Sequence, residues 1–143
     1  MAGFKMSEWI SRPPRDVFDF VTAPENAPKV VHSVTSMVKL TDGPIRVGTL
    51  LRETRVMRGK DEQADLEVVA YEPSQAYAVK NLTEGIETVY RYAFHPEAAG
   101  TRVELVCDLT ASRAKRLMLP LVAAVLKKED GDHLQRLKAA LET

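Results

Sequence analysis

Glu53 and Arg55 stand two residues apart in the run Leu51-Arg52-Glu53-Thr54-Arg55. A guanidinium offers a planar fork of donors that fits a carboxylate or an enolate oxygen, and a neighbouring carboxylate can hold that fork in place. Tyr77, Tyr90 and Tyr92 each join a large apolar ring to a hydroxyl that needs a partner once buried. They suit either a packed core with local hydrogen bonds or a pocket carrying a few placed polar groups. Toward the C-terminus, Asp130 and His133 lie at i, i+3 spacing in a helical pattern. Such a pair serves as a proton-transfer unit near neutral pH or as a salt bridge on a helix surface. Arg55, Tyr90 and His133 are therefore the candidates for moving protons if a reaction occurs. His32, His95, His133 and the single cysteine, Cys107, show no ligand spacing, so no metal is expected. There is no glycine-rich phosphate loop or nucleophile motif, and no cofactor is expected.

These groups sit in a chain of 143 residues, a length that supports one domain, taken as 1–143, with a core that needs no disulfide or metal. Twenty Lys+Arg balance twenty Asp+Glu. The positive field with which proteins displace counterions from phosphates is missing, and nucleic acid is not an expected partner. Cys107 has no internal disulfide partner and lies in an apolar strand pattern, which fits a buried structural thiol in a reducing compartment. The N-terminal Met1-Ala2-Gly3-Phe4-Lys5-Met6-Ser7-Glu8 carries charges where a signal peptide needs an apolar run, so the expected location is cytoplasmic. The longest apolar stretch, Leu117 to Leu126 with Pro120 inside it, is about half of the ~20 residues that span a bilayer. No membrane insertion is expected.

The elements that must position these side chains follow from periodicity. Phe4 to Ile10 alternates as a strand, and Arg12-Pro13-Pro14 stops it; Pro14 suits the first turn of a short helix with Val17, Phe18 and Val21 on its apolar side. Ala23-Pro24 ends that helix, and Pro24 to Lys29 holds a second short helical turn before an extended segment from Val34 to Leu40. From there to Leu109, strands alternate with turns at Asp42-Gly43-Pro44, Gly59-Lys60, Glu72-Pro73-Ser74, Glu84-Gly85 and Pro96 to Gly100, which describes an antiparallel meander. The last segment changes period: Ala114, Leu117, Met118, Leu121, Val122, Val125, Leu126, Leu134, Leu137 and Leu141 predict one long helix, bent or weakened near Pro120 and Gly131. This order is α+β, and the C-terminal helix is the element long enough to cover the apolar face of the sheet. Space left beneath its middle is the candidate site.

Opposite residues of an antiparallel pair share a face, so inward parity can be carried from turn to turn. With Gly59-Lys60 as a two-residue turn, Arg55 opposes Ala64, Glu53 opposes Leu66 and Leu51 opposes Val68. That places Glu53 and Arg55 on the apolar face; an odd residue count in the turn would send both outward. An even loop at Glu72-Pro73-Ser74 sets Val68 against Val79 and Ala70 against Tyr77. Thr83 against Ile86 puts Thr88, Tyr90 and Tyr92 inside, and the series continues through Phe94 to Val103, Leu105, Cys107 and Leu109. On the helix, Leu119, Val122, Leu126, Asp130, His133 and Leu137 form one stripe. The expected ligand-binding set is Leu51, Glu53, Arg55, Leu66, Val68, Tyr77, Val79, Tyr90, Tyr92, Val103 and Leu105 from the sheet, with Met118, Val122, Leu126 and His133 from the helix.

The opening Ile10-Ser11-Arg12-Pro13-Pro14-Arg15-Asp16-Val17-Phe18-Asp19-Phe20-Val21 with Pro24-Glu25-Asn26 resembles that of polyketide cyclase/dehydrase-like members of the SRPBCC, or START-like helix-grip, superfamily. Val47-Gly48-Thr49, Arg52-Glu53-Thr54-Arg55, Tyr71-Glu72-Pro73, Gly100-Thr101-Arg102-Val103 and Leu134 to Glu142 continue the likeness along nearly the whole chain. Val30 and Val31 stand near where many members carry a tryptophan. The resemblance implies a curved antiparallel sheet of about six to seven strands, two short helices after the first, and a long C-terminal helix over a cavity. It leaves three functions open: a carrier of a small apolar or aromatic molecule, a cyclase or dehydratase acting by positioning and proton transfer, and a protein-interaction module, as a monomer or homodimer. The cavity is expected to be apolar with a charged corner, fitting a ligand with one acidic or carbonyl oxygen group.

Overall fold

The computed structural model describes residues 2–142; Met1 and Thr143, the ends of the expected 1–143 domain, lie outside them. Strand β1 (Ala2–Ile10) gives way to helix α1 (Pro14–Thr22), whose first turn takes Pro14 where a missing N–H breaks no bond. A 3-10 turn at Pro24–Asn26 leads into α2 (Ala27–Val30). Strands β2 (Val34–Lys39), β3 (Leu50–Met57), β4 (Lys60–Glu72), β5 (Ala76–Thr83), β6 (Ile86–Glu97) and β7 (Gly100–Ala111) then follow. They form one seven-stranded antiparallel sheet in the order β1-β7-β6-β5-β4-β3-β2. With two short helices after β1 and the C-terminal helix laid on the sheet, this is an α+β helix-grip fold.

Two local features differ from the expected register. The β3–β4 turn is Arg58-Gly59, both with positive φ (54° and 78°), and Met57 pairs with Lys60. This is the left-handed two-residue geometry that matches strand twist, and glycine at its second position carries it without a Cβ penalty. Leu51 consequently faces Leu66, Glu53 faces Ala64 and Arg55 faces Glu62, two residues from the expected partners. A slip of two preserves the face, so Glu53 and Arg55 still point inward. The second difference is a bulge in β4. Val68 opposes Val79 as expected, but the register then shifts, and Tyr71 rather than Ala70 opposes Tyr77. One extra residue swaps the faces beyond it, so Tyr71 also turns inward and meets Phe18 edge-on, ring centroids 5.2 Å apart. The β5–β6 and β6–β7 ladders have the expected partners, with Tyr77 against Tyr92, Val79 against Tyr90 and Phe94 against Val103.

The C-terminal helix is built in pieces. A 3-10 segment, Arg113–Met118, precedes α3 (Leu119–Asp130), and α4 (His133–Glu142) follows after a break at Gly131-Asp132. Pro120 starts α3 rather than bending it, as the missing proline N–H dictates. At position 131 a Cβ would lie 2.6 Å from the Lys127 carbonyl oxygen, so glycine permits the tight approach at the break.

The main core lies where α1 and α4 rest on the sheet. Val17, Val68, Val103, Leu105 and Leu137 are fully buried there, with Phe18, Phe94 and Leu134 among them. Val68, Val103 and Leu105, expected as ligand contacts, are therefore packing residues: all three are completely buried in this core, and α1 covers this end of β5, β6 and β7. A smaller cluster joins Phe4, Cys107, Leu109 and Leu119 under α3. Burial pushes the Cys107 thiol up to about 12. Among the described residues no helix is long and apolar enough to cross a membrane.

Candidate functional site

Where α3 crosses the sheet, the helix stands off and leaves a cavity of about 540 Å³. Strand β3 contributes Leu51, Glu53 and Arg55 to its wall, β4 Leu66, β5 Tyr77 and Val79, and β6 Thr88, Tyr90 and Tyr92. Val122 and Leu126 of α3 and His133 of α4 close the opposite side, while Phe20, Ala27, Val30 and Val31 supply an end wall from α1, α2 and the residue beyond. The sequence reading missed that end wall, although Val30 and Val31 are buried apolar residues next to the short helix it placed there. Exposed Glu62, Thr83, Glu84 and Leu121 border the cavity where the two hairpin ends approach α3. Met118, expected in the set, is half exposed and lies outside the cavity. The cause is the 3-10 segment, which breaks the helical period on which Met118 was placed.

The buried polar groups converge at the inner end. Arg55 Nε donates to Glu53 Oε1 at 2.6 Å, and its Nη1 donates to Asp130 Oδ1 at 3.1 Å and to Ser33 Oγ at 3.3 Å. Tyr90 Oη donates to the other Asp130 oxygen at 2.7 Å. Asp130 is only 1% exposed, so its two oxygens are satisfied by residues 75 and 40 positions away. Burial works against the charge on Arg55, yet Glu53 and Asp130 together hold its pKa above the ordinary guanidinium value. Beside this network, Tyr92 Oη and His133 Nε2 are 2.9 Å apart. Burial lowers the His133 pKa to about 4, leaving the ring neutral near pH 7, and burial raises the hydroxyl pKa values of Tyr77, Tyr90 and Tyr92.

Asp130 and His133 are thus neither an exposed salt bridge nor a hydrogen-bonded dyad. The break at Gly131-Asp132 turns each toward a different tyrosine. Arg55 likewise does not stand free with Glu53 as its one support. It is shared between two carboxylates and a serine hydroxyl. His32, which the sequence left without a role, lies 3.7 Å from Glu129 and 3.6 Å from Asp132 outside the cavity. Among the described residues no group of three or more His, Cys, Asp or Glu is placed to hold a metal ion.

A family model described as polyketide cyclase / dehydrase and lipid transport matches residues 1–142. The chain belongs to this family. Solved structures share the fold of this family member at low identity. Ara h 8.0201 superposes with a TM-score of 0.78 at 14% identity, over 97% of this chain and 96% of that one. A START superfamily protein from Mycobacterium smegmatis gives 0.80 at 11% identity, over 99% and 98% of the two chains. The di-domain ARO/CYC BexL from the BE-7585A biosynthetic pathway gives 0.81 at 16%, over 99% of this chain and 47% of that one. No curated protein matches the chain. The family description joins cyclase chemistry with lipid transport, so membership supports an apolar-ligand or a cyclase role and selects neither.

Proposed function

We propose that this chain binds and carries a small, largely apolar molecule, lipid-like or aromatic, in the cavity beneath α3. The observation that supports this reading is the cavity itself: about 540 Å³, walled mostly by aliphatic and aromatic side chains, with a buried polar cluster at its inner end and further polar side chains at its rim. Pockets of that volume and make-up take small organic ligands. Native mass spectrometry of freshly purified protein is the test. A co-purified lipophilic mass that is stripped on denaturation is expected; uniformly ligand-free protein that also takes up no added apolar probe would sink the proposal.

A cyclase or dehydratase role has one observation in its favour, the placement of the Tyr90–Asp130 and Tyr92–His133 pairs on the cavity wall. Their tuning weighs the other way. General acid–base catalysis works best with groups titrating near the working pH, whereas burial moves His133 down to about 4 and the tyrosines up. His133→Ala separates the two roles: a carrier keeps its ligand, and an enzyme loses turnover while keeping affinity. A cavity that runs beneath α3 favours a ligand-binding role over a module that needs only an exposed apolar patch.

A further inference from the structure

Arg55 is the only cationic side chain among the described residues that line the cavity, whose wall and rim carry four carboxylates, those of Glu53, Glu62, Glu84 and Asp130, while Lys115 lies just outside with its ammonium on the Glu84 carbonyl oxygen. Two of the four, Glu53 and Asp130, are already bonded to it. His133 adds no charge at neutral pH. The inner polar end therefore carries two carboxylates against one guanidinium, and the rim adds Glu62 and Glu84, both exposed. This imbalance is local, since the chain as a whole has twenty cationic and twenty acidic residues.

The geometry points to a ligand whose polar end donates hydrogen bonds, a hydroxyl or a protonated amine on an apolar body, with free carboxylic acids selected against. A ligand carboxylate would either displace Glu53 or Asp130 from Arg55 or accept from its Nη2 beside two carboxylates, in a site that is already net negative with poor solvent screening. A donor meets no such barrier. Glu53 uses one carboxylate oxygen, Oε1, in its bond to Arg55, and the Oε2 lone pairs accept an incoming O–H or N–H. The two rim carboxylates attract a cation before it enters and repel an anion, an effect that weakens with salt because both are exposed. This assignment rests on the cavity being the ligand site and sharpens it: an acidic oxygen group, the partner that Arg55 invites from sequence, is the group the assembled site turns away.

Four probes with one aromatic body separate these ideas by titration calorimetry on the full chain at pH 7: naphthalene, 2-naphthol, 2-naphthylmethylamine as its cation, and 2-naphthoate as its anion. Naphthol and the amine are expected to bind at least tenfold more tightly than naphthoate, the amine losing affinity as salt rises. Naphthoate binding as tightly as naphthol, with naphthalene also bound, overturns the charge selection and leaves the cavity reading standing. If no probe binds, naphthalene included, the cavity reading fails and this inference with it. The exposed double variant Glu62→Gln/Glu84→Gln keeps the fold and is expected to narrow the amine-to-naphthoate ratio severalfold. Glu53→Gln is expected to raise naphthoate affinity while lowering that of naphthol. Equal losses for all probes in Glu53→Gln, with an unchanged ratio in the rim variant, would mean that Glu53 only supports the structure and that charge does not select the ligand.

Discussion

Helices α3 and α4 follow one another across two residues, yet they relate to the sheet in opposite ways. Helix α4 is fastened. It buries Leu134 and Leu137 against the main core, and its residues bond to the end of β1 and the loop beyond, with Glu142 accepting from the Ser11 N–H, Leu141 O accepting from Arg12 and Lys138 donating to Trp9 O. Helix α3 is a span. It buries its first residue, Leu119, and its last, Asp130, while Leu121 and Val125 between them are 66% and 43% exposed. Apolar content alone does not decide which of two helices builds the core. The longest apolar run of the chain falls on the one that spans the cavity, where Val122 and Leu126 border open space on one side and touch the small cluster around Leu119 on the other, so they are packed only in part.

That contrast can be broken by substitution. Leu137→Ala, at a fully buried site in α4, is expected to lower unfolding free energy by about 3 kcal/mol, whereas Val122→Ala in α3 lowers it by less than about 1 kcal/mol because it enlarges a space already present. Urea denaturation compares the two, and equal losses would mean that α3 is packed as tightly as α4. The junction of the helices is expected to respond to acid. The unfolded chain takes up a proton at His133 as pH falls through 6.5, while the folded protein, held by burial, resists until about 4. Stability from this group is therefore complete above pH 6.5 and is lost progressively toward pH 4, by at most roughly 3 kcal/mol. Melting curves across that range should show a shallower decline in His133→Gln, and identical slopes would contradict a buried neutral ring. The smallest effect is expected on the outer side. Leu117, at 91% exposure, can become Ser with a change within about 0.5 kcal/mol, and a larger loss in the same melts would reveal a contact that this fold does not contain.

How far the sequence could be read depended on the period of each element. Strand faces repeat every two residues, so the inward placement of Glu53 and Arg55 survived a register error of two. The turn residues Arg58-Gly59-Lys60 allow either register, and parity cannot separate them. The β4 bulge had no visible marker because Val68, Val69 and Ala70 are all apolar, and Tyr71 was missed in consequence. Met118 was misplaced by extending a period of 3.6 through a 3-10 segment. The bonds from Asp130 to Arg55 and Tyr90 join positions 75 and 40 residues apart, which no local pattern reports. A buried aspartate at the end of an apolar helix was the visible sign that a partner had to exist.

Cys107 gives this molecule an internal clock. It sits in β7 with Phe4 of β1 on one side and Tyr90 of β6 on the other, 1% exposed and with its thiol pushed up to about 12. The thiolate is the form that attacks an alkylating reagent, and neither the reagent nor the ionised form is accommodated while β1, β7 and α3 stay together. Covalent labelling therefore counts excursions in which this end of the sheet parts from its cover, and the chain's single thiol makes each count unambiguous. Labelling slowed by a bound ligand would time how firmly the filled cavity holds α3 in place.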